Sequence, residues 1–208
     1  MPSPIQFRAF ADESSANRGE NQQEYLIGAA LIPADKCETL REKLRPLLLP
    51  GQIKLHWTDE SEPRRRSIIK LLCELDAMNV VIAHRSARQK KTERFRRKCL
   101  GDFYSEMAAM NVQDVTLESR SPKQDKLDRA HIVGLQNSGL TRDVRIAHLR
   151  GGDEPLLWIA DAVLGAINSD FLGEKSHLEA LSRTFVVHRC TSESLIPNEP
   201  SSGKDERP

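Results

Sequence analysis

The chain has 208 residues, enough for one sizeable hydrophobic core and marginal for two. With 38% hydrophobic residues, 29% charged residues and a formal net charge of +1, it reads as a globular protein and not a polycation, so any nucleic-acid surface has to come from local clustering of charge. No run of about eighteen apolar residues exists, which excludes a membrane-spanning helix, and four scattered cysteines (Cys37, Cys73, Cys99, Cys190) exclude a zinc module or disulfide framework and point to a reducing, cytoplasmic setting. The chain opens without a charged segment followed by an apolar one, so no secretory leader is expected.

Ile5, Phe7, Ala9 and Ala11 alternate with Gln6, Arg8, Phe10 and Asp12, the period-two pattern of a strand. The strand runs into Asp12 and Glu13 and is halted by the Ser, Asn and Gly that follow. A carboxylate at the carboxyl end of a sheet strand stands where α/β proteins place binding chemistry; a plain turn built from Asp and Ser is the other reading. Residues 24–32 read as a second strand ended by Pro33, and the linker between the two is long for a tight hairpin. A helix is expected from Pro33 to about Arg45, broken by Pro46 and by Pro50-Gly51. Ile53-Lys54-Leu55-His56-Trp57 reads as a brief extended piece with Lys54 and His56 on one side.

A helix over 63–78 carries an apolar stripe of Ile68, Leu71, Leu72 and Leu75, and the nearly all-apolar 79–84 is expected to be a central strand buried on both faces. Residues 85–98 are mostly Lys or Arg and run into a helix reaching toward Met110, with Phe95, Cys99, Leu100, Phe103 and Met107 inward. A fourth strand is expected over 112–118. Ser121-Pro122 starts a helix through Ser138 with Gly139 as its C-cap, and 143–148 reads as a fifth strand. Gly151-Gly152-Asp153-Glu154-Pro155 opens a late helix, with Asp153 spaced as its N-cap. The alternation of strands and helices predicts one mixed sheet flanked by helices, a single domain over 1–190. Residues 191–208 turn to Ser, Pro, Asn, Gly and alternating charge and are expected to form a disordered tail.

Asp161 interrupts an apolar run over 156–166. A helix this apolar packs against a sheet, and an unpaired ionised carboxylate there costs many kcal/mol, so the group must neutralise, pair or bind a cation. Pairing with an arginine such as Arg8, or capping a neighbouring turn, is the structural alternative. Gly165, one turn further on the same face, permits a close approach by backbone or substrate.

Asp12-Glu13-Ser14, the Gly- and Ala-rich Tyr25-Leu26-Ile27-Gly28-Ala29-Ala30-Leu31, Lys54-Leu55-His56 and Leu157-Trp158-Ile159-Ala160-Asp161 together resemble the DUF3800 family over residues 5–170. Ser15 stands where that family usually has glycine, and Trp158 where it usually has glutamine; neither change removes a carboxylate. The resemblance implies an RNase H-like α/β fold, a mixed sheet flanked by helices. It also implies a carboxylate at the end of a central strand before the late helix, for which Glu118 fits best and Asp125 and Asp128 are alternatives.

In such a fold, carboxylates from separate elements converge on Mg²⁺ or Mn²⁺ for nuclease chemistry, a phosphodiester hydrolase reaction. Asp12, Glu118 and Asp161 are the implied metal ligands, and Glu13 ranks lower because an ideal strand turns it to the other side. Lys54 would neutralise charge on a scissile phosphate, and His56 would ligate or transfer a proton near neutral pH. Surface decoration is the plainer reading of both. Arg85, Arg88, Lys90, Lys91, Arg94 and Arg97 would grip a nucleic-acid backbone, unless the run is merely a solvated helix face. A non-catalytic RNase H-like module that binds nucleic acid or a protein partner, in a phage-defence or mobile-element setting, is the alternative. The chain has no glycine-rich phosphate loop and no strand-Gly-x-Ser-x-Gly-helix elbow, which disfavours ATP-dependent and serine-hydrolase readings.

Overall fold

The computed structural model describes residues 5–88, 93–139, 141 and 143–195. Phe7–Asn17 forms strand β1 and Gln22–Pro33 forms β2, antiparallel from Phe7 opposite Pro33 to Asn17 opposite Gln23. The link between them is short. Arg18 N–H donates to the Gln22 carbonyl at 2.8 Å, and Gly19 takes a φ of +77° that a side chain would disfavour. Both strands therefore run longer than the apolar alternation alone suggests, and they close as a hairpin where a long loop was expected.

Met78–Ala87 forms β3, antiparallel to β2, and Phe185–Cys190 forms β6 on its far side, parallel to it. Asp114–Glu118 (β4) lies parallel to β1, and Arg145–Leu149 (β5) lies parallel to β4, giving the sheet order β5-β4-β1-β2-β3-β6. The apolar run in β3 is interior as its composition requires: Val80, Val81 and Ile82 are fully buried. β6 carries too mixed a sequence to stand out from period alone; its pairing to β3 makes it a strand.

Helices cover both faces. On one side lie α1 (Cys37–Leu44), α2 (Glu62–Glu74), α5 (Leu157–Phe171) and α6 (Ser176–Leu181), which share a core with Phe10, Leu26, Ala30 and Ile32. On the other lie α3 (Glu93–Ala109) and α4 (Pro122–Asn137), packed on Ala9, Ala11, Ile27 and Leu31. β1 thus sends alternate residues into separate cores, the period-two rule at work. Ser121 caps α4 by accepting the Gln124 N–H, and Gly139 follows its C-terminus at φ +82°.

Three local expectations change. Residues 53–56 form no strand and lead into a 3₁₀ turn at Trp57–Asp59. Asp153 is not the cap of α5. The helix starts from Leu156 without a side-chain cap, and Glu154, just before it, accepts the Leu156 N–H on Oε1 at 3.1 Å while Arg41 of α1 holds its carboxylate at 2.7 Å. Thr191–Leu195 lie against β3, with Thr191 N–H donating to Ala83 and Leu195 N–H to Arg85, whereas 196–208, most of the expected tail, fall outside the described residues. Among the described residues no helix is long and apolar enough to cross a membrane.

Candidate active site

α5 is buried almost all round, so the placement of Asp161 follows from how closely the helix lies on the sheet. Two glycines set that distance. A Cβ on Gly28 of β2 would come within 2.9 Å of Leu164, and one on Gly165 would collide with the indole of Trp57. Burying each large apolar side chain of α5 contributes about 1.5–3 kcal/mol, so Leu157, Ile159, Val163 and Leu164 together outweigh one partly desolvated carboxylate. Trp57 wedges beside Gly165, its backbone N–H donates to Asp161 Oδ2 at 2.7 Å, and its Nε1 donates to Ser169 at 3.3 Å. That clamp fixes the irregular segment before it, and Lys54 and His56 face the same space as Asp161 although they do not lie on a strand.

β1 and β4 supply the other carboxylates. Asp12 follows Phe10 on the α5 side. Glu118 lies one residue beyond the last paired rung, Ala11 opposite Leu117, so it is the neighbour of Asp12 on the adjacent parallel strand and on the same face. Asp12, Glu118 and Asp161 line one pocket of about 410 Å³ with Lys54, His56, Trp57, Arg120 and Asn168. Lys54 Nζ lies 2.6 Å from Glu118 Oε1. Gly151 lets the loop before α5 pass over this pair, since a Cβ there would sit 2.8 Å from Glu118 Oε1 and 2.9 Å from Lys54 Cδ. Trp158 holds that loop through its Nε1, which donates to the Gly151 carbonyl at 2.6 Å.

The electrostatics show a cluster short of positive charge. Burial, then the charges of Glu118 and Asp161, push the Asp12 carboxyl up to about 8 against the opposing Glu13 N–H and Lys54. Burial also raises Asp161, opposed by the Trp57 N–H, His56 and Lys54. Burial disfavours the charge on Lys54, but its hydrogen bond to Glu118 and the attraction of the three carboxylates outweigh that and hold its pKa above the ordinary value. His56 Nδ1 lies 2.6 Å from Thr58 Oγ1, and its Nε2 is 3.9 Å from Asp161 Oδ1. Arg8 is exposed and is no partner of Asp161.

Glu13 turns the opposite way, as strand alternation requires. Arg96 of α3 donates to it from Nε at 2.8 Å and from Nη2 at 2.6 Å, Tyr25 donates its hydroxyl, and Arg120 Nη1 lies 3.3 Å away. The same guanidinium binds Asp128, which His148 Nε2 approaches at 3.2 Å. Asp125, Asp128 and His148 offer atoms close enough together to hold an ion, but Arg96 already occupies Asp128, and Ser119 and the Arg120 N–H occupy Asp125. Asp125 and Asp128, the alternatives to Glu118, therefore sit in a separate cluster on the α3 side.

The basic run is dispersed. Arg85 belongs to β3, half-buried and paired with Glu24 at 3.0 Å. Arg88 is exposed beyond that strand, Arg94 and Arg97 are exposed on α3, and Arg96 faces inward. Lys90 and Lys91 lie outside the described residues. Arg96 was legible only as one of many cations; nothing in the local pattern distinguishes it from Arg94 and Arg97 except its inward helical phase with Phe95 and Cys99. Arg120 and Asn168 carried no sequence signal.

No family model and no curated protein matches the chain. Among solved structures, a chain of the PCNA:RNase HII complex from Archaeoglobus fulgidus superposes with a TM-score of 0.51 at 14% identity, covering 88% of this chain and 83% of that one. The fold is RNase H-like. A mutant of Bst-RNase HIII matches more loosely, with a TM-score of 0.40 at 10% identity over 88% of this chain and 57% of that one. In this RNase H-like sheet the candidate site lies where the parallel pairing of β1 with β4 ends beneath α5.

Proposed function

We propose that the protein is a divalent-metal-dependent phosphodiesterase of nuclease type, with Asp12, Glu118 and Asp161 holding Mg²⁺ or Mn²⁺ and nucleic acid as the substrate. The observation that carries this reading is the convergence of three carboxylates, from β1, β4 and α5, on one open pocket where the charge is under-compensated enough to push Asp12 up to about 8. The donor set fits a hard cation, being all oxygen, with room for the waters that Mg²⁺ retains. When bound, the ion would lower the pKa of a water and neutralise the oxygens of the phosphate under attack. The RNase HII likeness supports the same chemistry at the level of fold. The DUF3800 assignment rests on its motifs, and a cytoplasmic location on the scattered cysteines.

The protein's own groups divide the remaining work. Lys54, held on Glu118, would place a positive charge beside the phosphate. His56 Nε2 at the pocket mouth would give a proton to the departing oxygen as the phosphorus–oxygen bond breaks. Exposed Arg88, Arg94 and Arg97 would contact the backbone of a longer strand. The Lys54–Glu118 pair favours a second reading, a binding module without catalysis, because it already supplies part of the missing charge.

Thermal melting with Mg²⁺ or Mn²⁺ separates the two. An ion at about a hundred times its dissociation constant adds about 2.7 kcal/mol to the folded state. A melting shift present in the wild type and lost in Asp161→Asn, followed by metal-dependent cleavage of single- or double-stranded RNA or DNA, is the expected result. No shift and no cleavage at any metal concentration would leave the binding module.

A further inference from the structure

The acidic cluster on the α3 face holds the segment that follows β4. Asp125, in the first turn of α4, accepts the Ser119 hydroxyl at 2.7 Å and the Arg120 backbone N–H at 3.2 Å. Glu13, gripped by Arg96, also meets Arg120 Nη1 at 3.3 Å. Arg120 is thus tethered at its backbone and at one end of its guanidinium, yet its side chain remains 36% exposed and lines the Asp12 pocket. Glu13 does not need this cation. Its two N–H contacts from Arg96 are shorter, and Arg96 itself is buried. Among the described residues, Arg120 Nε and Nη2 have no hydrogen-bond partner within the chain.

A pocket with three carboxylates repels a polyanion. Lys54 is the nearest cation, and its charge is taken up by Glu118. A guanidinium presents a fixed fork of N–H donors that matches two oxygens of one phosphate, and pre-positioning it lowers the entropy lost on binding. We propose that Arg120 is a substrate-binding residue that takes a phosphate of the nucleic-acid strand at the rim of the Asp12 pocket, held in place by Asp125 and Glu13. This rests on the phosphodiesterase reading and adds to it where the strand enters.

The test uses fluorescein-labelled RNA and DNA of about 20 nucleotides, single-stranded and duplex, bound to the Asp161→Asn protein so that cleavage does not intervene. Adding Arg120→Ala is expected to weaken binding about tenfold near 0.1 M salt and to lower the slope of log Kd against log salt by about one; Arg120→Lys restores the slope but only part of the affinity. With Asp161 intact, Arg120→Ala raises KM more than it lowers kcat. Unchanged affinity and slope in Arg120→Ala, with probes that do bind and are cleaved by the wild type, overturns this inference and leaves the phosphodiesterase reading standing. Failure of every probe to bind the wild type overturns both. An equal loss in both Arg120 variants, with a lower melting temperature in each, assigns Arg120 to folding and overturns its role at the substrate.

Discussion

Asp12 and Glu13 are adjacent in sequence and lie on opposite faces of β1, and the acidic groups they belong to are balanced differently. On the α3 face, Glu13 and Asp128 share the buried Arg96, while Asp125 accepts Ser119 and a backbone N–H. Burial opposes ionisation there, but the hydrogen bonds from His148 and Arg96 hold Asp128 down at about 2. On the α5 face, Asp12 has its neighbour's N–H, one lysine already bonded to Glu118 and two further carboxylates, and it is pushed up to about 8. The first arrangement stabilises the fold; the second leaves room for a ligand of positive charge. Closeness of acidic side chains alone does not distinguish them, because the better-clustered group is the one already satisfied.

The strongest way to break the contrast is to remove the cation. Arg96→Met leaves Glu13 and Asp128 buried without it and is expected to lower stability by about 3–5 kcal/mol, read from the denaturant midpoint. Metal binding at the α5-face pocket should survive in whatever fraction remains folded.

The pH dependence should separate the two faces next. The Asp12 pKa is raised on folding, so between about pH 4 and pH 8 the folded state holds the proton that the unfolded state has lost, and this group's contribution to stability declines as pH rises through that window. Asp128 behaves oppositely: its stabilisation is present above about pH 4 and is lost as pH falls toward 2. In metal-free buffer Asp12→Asn should remove the decline between about pH 4 and 8, a gain of roughly 2 kcal/mol near pH 8 once solvent screening in the open pocket is allowed for. An unchanged pH profile would show that Asp12 is not strained by its neighbours. Because bound carboxylates must be deprotonated, the Mg²⁺-induced melting shift should also grow from pH 6 to pH 8.

Gly165→Ala sets a methyl against the Trp57 indole and is expected to cost about 1–3 kcal/mol while weakening the metal-induced shift, because Trp57 carries the N–H that orients Asp161. A stability loss without a change in that shift would separate Trp57 packing from ligand geometry. Ser121→Ala removes the cap of α4 beneath Asp125 and should cost about 1 kcal/mol in thermal melting with no effect on metal binding.

Much of this architecture is legible along the chain. The alternation through Phe7 to Asp12, the apolar run of β3 and the Ser121-Pro122 start of α4 are local signals, and each element forms where those signals lie. The lone carboxylate in an apolar helix marked Asp161. Other parts had no local signature: β6 is a strand only because β3 offers it an edge, and Lys54 and His56 face the pocket because Trp57 is clamped to α5. Arg85 reads as one member of a basic run until its strand position pairs it with Glu24.

The sequence by itself therefore determined the alternation of strands and helices and the apolar burial that sets α5 against the sheet, since both follow from side-chain period and hydrophobicity. Only the tertiary structure decided which carboxylates share a pocket and which are neutralised. Neighbouring charges act over a few ångströms of space, and the residues that meet there, Asp12 with Glu118 and Glu13 with Arg96, are separated by a large part of the chain.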